Sequence, residues 1–274
     1  LGKVIMSAAA KNLTPVTLEL GGKSPVLLHP DYPIDAFARR IIHTKTMNSG
    51  QTCVAPDYLL VPEASMHTVI EALQAEFKRS YADIGNNSDY GAIINHQQYD
   101  RLQGYLADAQ AQGAQLIPLA EPLGEAGNSH CKMPLTLVAL PNDKMQLMQD
   151  EIFGAILPLV SYKTMAEAIR YINSRERPLA LYYFDTNKRR IEQVLQQTVS
   201  GNACVNEALM HVGVDDLPFG GIGASGMGAY HGREGFETFS HKKGVFMKGL
   251  FNSANFIRPP YANYVKRFIR LLAR

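Results

Sequence analysis

Short apolar runs alternate along this chain with amphipathic stretches of helical period, and that alternation constrains the fold more than any other feature. Residues 25–28, 58–61, 115–119, 135–140, 155–162, 179–184 and 203–205 read as strands. Between them, Ile34, Phe37, Ala38, Ile41 and Ile42 share one face of a helix, as do Val69, Leu73 and Phe77, Leu102 and Leu106, Ala168, Ile169 and Ile172, and Ile191, Val194 and Leu195. Start and stop signals agree with these bounds. Ser65, Thr164 and Asn187 stand where helices begin, and Asn95 with Gln98 forms a capping box. Asn48-Ser49-Gly50, Gly113 and Gly201 stand where helices end. Strands joined through helices of roughly ten to fifteen residues predict an α/β fold with a mainly parallel, twisted sheet and helices on both faces. Residues 121–129 are the most loop-like internal stretch.

Composition narrows the function classes. An apolar content of 46% over 274 residues suits a buried core and excludes a disordered chain. Three cysteines are too few and too odd in number for a disulfide scaffold, and they fit a reducing, cytoplasmic compartment. No apolar run reaches the roughly 18 to 20 residues of a membrane span. The eight histidines show no metal-ligand spacing, so no metal site is expected. Net charge is +2, but five cations (Arg258, Lys266, Arg267, Arg270 and Arg274) close the chain without an acid among them. Without those five the chain carries 22 basic against 25 acidic residues, which makes nucleic acid an unfavourable partner.

Two residues stand out as chemical candidates. Cys53 follows a helix end in Asn48-Ser49-Gly50-Gln51-Thr52-Cys53, where small polar neighbours leave a sulfur reachable. Cys204 lies in an apolar strand, the setting of an inert thiol, and Cys131 in a loop without a glycine-rich frame. Glu19 is the acid in the alternating run Val16-Thr17-Leu18-Glu19-Leu20, directly before Gly21-Gly22, where a partly desolvated carboxylate can serve as a base. Taken singly, each has a plain alternative: a buried small thiol, and a strand-end carboxylate facing water.

The surrounding residues carry a resemblance. Val16-Thr17-Leu18-Glu19-Leu20-Gly21-Gly22-Lys23-Ser24-Pro25 resembles the glutamate motif of the aldehyde dehydrogenases, and Met47-Asn48-Ser49-Gly50-Gln51-Thr52-Cys53 resembles their cysteine motif. Asp150-Glu151-Ile152-Phe153-Gly154 and Leu217-Pro218-Phe219-Gly220-Gly221-Ile222-Gly223 are similar to two further motifs, in the same order. Asn12-Leu13-Thr14-Pro15, Val54-Ala55-Pro56-Asp57-Tyr58 and Tyr230-His231-Gly232 point to the class 3-like branch with its coniferyl, fatty and aromatic aldehyde enzymes. The resemblance implies oxidation of an aldehyde with NAD or NADP. Cys53 is then the nucleophile and Glu19 the base that releases the acid from a thioester. It places Glu151 at the cofactor ribose, Phe153 at the nicotinamide ring, and Gly2 at the end of a cofactor-loop glycine motif.

The same resemblance divides the chain. Residues 1–18 correspond to the end of a dinucleotide-binding domain, 19–228 to the catalytic domain, 229–256 to an oligomerisation segment with an edge strand, and 257–274 to a basic amphipathic tail. It implies a homodimer, and a chain truncated ahead of Gly2. Two other readings stay open: a non-catalytic structural protein of this fold, and a cofactor-free thiol hydrolase acting through Cys53. Gly221-Ile222-Gly223-Ala224-Ser225-Gly226 satisfies GxGxxG, but no helical period follows and the position twenty past Gly226 is Phe246, so it reads as a close-approach loop. His211 and His231 read as hydrogen-bonded structural residues. The tail alternates Tyr264, Val265, Phe268, Ile269 and Leu272 with Lys266, Arg267 and Arg270. A helix docked on protein is preferred to one lying on an anionic membrane, because the segment is short.

Overall fold

The computed structural model describes residues 1–124, 127, 130–250, 259 and 261–273. In chain order the elements are α1 (Gly2–Ala10), β1 (Leu18–Glu19), β2 (Pro25–Leu28), α2 (Ile34–Thr46), β3 (Tyr58–Pro62), α3 (Met66–Ser80), α4 (His96–Ala111), β4 (Gln115–Pro118) and β5 (Thr136–Ala139). They continue with α5 (Gln146–Gln149), β6 (Ile156–Tyr162), α6 (Met165–Asn173), β7 (Ala180–Phe184), α7 (Lys188–Gln197), β8 (Asn202–Val205), β9 (Gly226–Met227), α8 (Gly232–Thr238) and α9 (Asn263–Leu272). The apolar runs pair into one seven-stranded sheet in the order β4-β5-β6-β3-β2-β7-β8. All its pairings are parallel except β4 with β5 at the edge. The α/β architecture with a mainly parallel sheet is the one the alternation predicts.

Every residue of β2, β3, β5 and β7 is buried, which follows from helices on both faces of the sheet. The strand period of two sorts the core. Val26, Leu28, Leu59, Val61, Tyr182 and Phe184 pack with Phe37, Ile41, Leu73 and Phe77 of α2 and α3. Leu27, Tyr58, Leu60, Leu181 and Tyr183 pack with Ala168, Ile169 and Ile172 of α6 and Val194 of α7. A third cluster sets Leu102, Tyr105 and Ala109 of α4 against Val138, Leu147 and Ile156. The caps act as read at three helices: Asn95, Thr164 and Asn187 accept from the backbone N–H of Gln98, Glu167 and Arg190. Ser65 does not; it closes a 3-10 turn, Glu63–Ser65, and its side chain makes no capping bond.

Two units are distinguishable, Leu1–Phe239 and Ser240–Arg274. The edge strand expected from Phe236 onward is not present among the described residues: Phe236 lies in α8, and residues 241–249 carry no regular structure. A strand is defined by the ladder it joins, and none is formed by 241–249 among the described residues. The last six residues of the expected oligomerisation segment, 251–256, lie outside the described residues, as do Arg258 and Arg274 of the tail. In the second unit, α9 exposes Tyr264, Phe268, Ile269, Leu271 and Leu272.

Candidate active site

Cys53 is held by an unusual turn. Beyond the end of α2, Asn48 (φ 50°), Ser49 (φ 55°) and Gly50 (φ 75°) all adopt left-handed backbone. A Cβ on Gly50 would come within 2.5 Å of the Gly154 carbonyl oxygen, so the position is closed to any larger residue. Gln51 locks the turn from the other side. Its Nε2 donates to the Ala92 carbonyl at 3.0 Å, and its Oε1 accepts from the Ile94 N–H at 2.9 Å. The chain then enters β3, so the sulfur sits ahead of the amino end of that strand.

Glu19 arrives by a different route. It stands on β1, which lies outside the large sheet and pairs antiparallel with β9, Leu18 opposite Met227 and Glu19 opposite Gly226. A small antiparallel pair, outside the parallel sheet, thus delivers this carboxylate. The site hangs from segments that lead into the amino ends of β2 and β3, where doubly wound sheets usually use the carboxyl ends. The GxGxxG stretch serves this pairing, as a close-approach loop. A Cβ on Gly226 would lie 2.2 Å from the Leu18 carbonyl oxygen, and one on Gly221 2.1 Å from that of Ser225.

The structure brings the two together: Cys53 Sγ donates to Glu19 Oε1 at 3.3 Å, and the Tyr230 hydroxyl donates to Glu19 Oε2 at 2.9 Å. The electrostatics are those of a protonated thiol. Burial, followed by the hydrogen bond to Glu19 and the charges of Glu19 and Glu151, pushes the Cys53 pKa up to about 12. Nucleophilic attack from this resting state needs the thiol proton removed. Cys204 lies in β8, half-buried, with its pKa also raised by burial, as suits an inert thiol. Cys131 is buried with its sulfur 3.4 Å from His96 Nδ1.

Of the residues expected at the cofactor, Glu151 lines a cavity and Phe153 does not. Glu151 shares a cavity of about 550 Å³ with Gly21, Gly22, Arg175, Arg177 and Ser225. Burial lifts its pKa to about 7, against the pull of the Gly22 N–H, Lys23 and Lys45. Gly21 has φ +86°, and a Cβ there would lie 2.8 Å from Glu151 Oε2. Phe153 has φ 49° and is 42% exposed. In the cavity, a carboxylate that can accept two hydroxyls and a glycine-lined wall would suit a ribose. Gly2 opens α1 and packs on Leu20, to which a Cβ would approach within 2.9 Å; it does not line that cavity.

Several residues of the site were not singled out by the sequence reading. Lys23 Nζ donates to Asp57 Oδ1 at 2.7 Å and to the carbonyls of Leu147 and Asp150 at 2.7 and 2.8 Å. Asp57 Oδ2 accepts from the Ile152 N–H at 3.1 Å. One ion pair thus braces the segments that carry Glu19, Cys53 and Glu151. Lys45 lies fully buried beside them, its pKa lowered to about 8 chiefly by burial. In the sequence it is one more cation on an amphipathic helix. His211 is buried against the rings of Tyr182 and Phe219, and neither ring nitrogen finds a hydrogen-bond partner among the described residues, contrary to the expectation for it. His231 stacks on Phe219.

Comparison with known proteins gives the family. The sequence profile of the aldehyde dehydrogenase family matches residues 1–245. A probable coniferyl aldehyde dehydrogenase of Pseudomonas aeruginosa is 48% identical over 269 residues, which cover 98% of this chain and 56% of that protein. The dimeric NADP-preferring aldehyde dehydrogenase of Rattus norvegicus is 42% identical over 253 residues, 92% of this chain and 54% of that one. The substrate-bound AldH of Staphylococcus aureus superposes with a TM-score of 0.90 at 37% identity, over 100% of this chain and 58% of that one. The chain spans about half the length of the curated relatives it matches. On the profile match and these identities, the chain belongs to the aldehyde dehydrogenase family.

Proposed function

We propose that the protein containing this chain oxidises an aldehyde, aromatic and coniferyl-like, to the carboxylic acid through Cys53. The observation that carries the reading is the 3.3 Å contact between Cys53 Sγ and Glu19 Oε1. Glu19 takes the thiol proton as sulfur attacks the carbonyl carbon, which gives a thiohemiacetal on Cys53. The backbone N–H of Cys53 would steady the developing oxyanion. After loss of hydride the carbon is a thioester on Cys53. Glu19, once it has passed the first proton to solvent, takes a proton from water as that water attacks the thioester; the C–S bond breaks, the acid leaves, and that proton returns from Glu19 to the sulfur. Enzymes of the family use NAD or NADP, and the bound nicotinamide supplies the hydride acceptor. Glu151 and Phe153 would hold its ribose and ring, and Gly2 would close the glycine loop next to it.

The test is made on the full-length protein. Cys53→Ser is expected to abolish reduced cofactor formation from an aldehyde, and Glu19→Gln to slow turnover with a thioester accumulating. Full activity in Cys53→Ser would sink the reading. The two alternatives part from it cleanly. A thiol hydrolase would turn over an ester with no nucleotide present, whereas a structural protein of this fold would show neither cofactor affinity nor ester turnover. We further infer that the protein is a cytoplasmic homodimer, with residues 229–256 as the oligomerisation segment and the 257–274 tail docked on protein.

A further inference from the structure

Glu19 is an exposed side chain on a two-residue strand, and nothing in that placement fixes its carboxylate. Left to itself, a glutamate of this kind populates several rotamers, and only some of them face the sulfur. Its two oxygens are nevertheless divided between two donors, Oε1 to the Cys53 thiol and Oε2 to the Tyr230 hydroxyl.

Tyr230 is the most braced member of this trio. Its backbone N–H and carbonyl both pair with Phe219 at 2.8 Å. Its ring stands edge-on to Phe219, with centroids 5.7 Å apart, and edge-on to His231 at 4.7 Å. The phenol is thus presented from a braced loop, and burial together with Glu19 keeps it protonated, with its pKa raised to about 12. Of the two contacts to Glu19, that from Tyr230 is shorter and comes from the better-anchored side chain.

We propose that Tyr230 is a positioning residue that holds the Glu19 carboxylate over the Cys53 thiol. The inference rests on the reading of Cys53 and Glu19 as nucleophile and base. The hold has two effects. It keeps a proton acceptor within reach of the sulfur when a carbonyl arrives. Before that it keeps a negative charge beside the thiol, so the sulfur stays protonated and resists stray electrophiles.

Alkylation of Cys53 by iodoacetamide across pH 6–10, followed peptide by peptide, reads this hold directly and needs no cofactor. Glu19→Gln removes the charge, and each unit by which the thiol pKa falls raises its alkylation below that pKa roughly ten-fold. Tyr230→Phe keeps the ring on Phe219 and His231 but releases the carboxylate. It is expected to speed Cys53 alkylation at pH 8 several-fold, toward the Glu19→Gln rate. The double variant Tyr230→Phe/Glu19→Gln is expected to match Glu19→Gln alone, because Tyr230 acts through Glu19. Cys131 and Cys204, read in the same digests, should keep their wild-type rates and so report an intact fold. A wild-type rate in Tyr230→Phe, or further acceleration in the double variant, would overturn the proposal. Equal rates in wild type and Glu19→Gln would remove the thiol–carboxylate contact itself, and the underlying reading with it.

Discussion

Cys53 and Glu19 make an awkward couple at rest, because a carboxylate beside a thiol stabilises the proton on sulfur. On the proposed reading, the contact becomes productive when the carbonyl supplies a place for the sulfur lone pair while Glu19 receives the proton. Glu151 shows the same tension in another form. Its pKa of about 7 stands above the ordinary 4.5 because burial disfavours the anion. The folded state therefore binds this proton more tightly than the unfolded chain does. The resulting stabilisation is complete below about pH 4.5 and is lost as pH rises through 7. Glu151→Gln removes the ionisation, so the variant should gain on the wild type by about 1–3 kcal/mol at pH 8 and by little at pH 5. Urea unfolding at the two pH values checks this. An advantage of the same size at both would mean that Glu151 is not ionised at a cost.

At the scale of elements, the antiparallel pair β1–β9 matters more than its length suggests. It sets Glu19 opposite Gly226, and Gly226 has φ +150° with no room for a Cβ against the Leu18 carbonyl. Gly226→Ala is predicted to part the two strands and move Glu19 off the sulfur. It should lower kcat at least about a hundred-fold, since base and positioning are lost together, while far-UV circular dichroism stays native because the seven-stranded sheet is untouched. Loss of the whole fold would refute this division of labour. The large sheet was legible from sequence because each strand is a continuous apolar run and each helix carries an apolar stripe. Glu19 and Cys53 were legible as candidates because local anomalies mark them: an acid in an alternating run, a thiol after a helix end. The brace was not legible. Lys23 and Asp57 are 34 residues apart, and Asp57 meets the Ile152 N–H 95 residues further on. No periodicity records contacts of that range, and Lys45 has the same local pattern as a solvated lysine. Ser65 failed as a cap because a short 3-10 turn runs into α3 and satisfies the first N–H groups from the backbone.

For the whole molecule the decisive quantity is how charge is divided between the two units. From Ser240 onward the chain carries eight Lys and Arg residues and no Asp or Glu, so Leu1–Phe239 holds the remaining 19 basic and all 25 acidic residues. A cationic segment of this kind is drawn to an anionic surface, and an acidic body of the same protein offers one at no cost in partner supply. The exposed apolar side chains fit that reading, with Val245, Phe246, Met247 and Leu250 before the tail and Phe268, Leu271 and Leu272 along α9. Single exposed apolar residues are ordinary; these seven, on two stretches of the second unit, are side chains that the proposed homodimer would cover. Self-association driven in this way weakens as salt screens it, over a Debye length of about 10 Å at 0.1 M ionic strength. Light scattering should give about twice the 30.2 kDa chain mass at low salt. It should show a growing monomer fraction at 1 M salt, and a monomer after removal of residues 240–274. Vesicles of anionic lipid provide the counter-test. Flotation of the intact chain that is lost without residues 258–274, combined with a monomer in scattering, would assign the basic segment to a membrane surface and overturn the dimer.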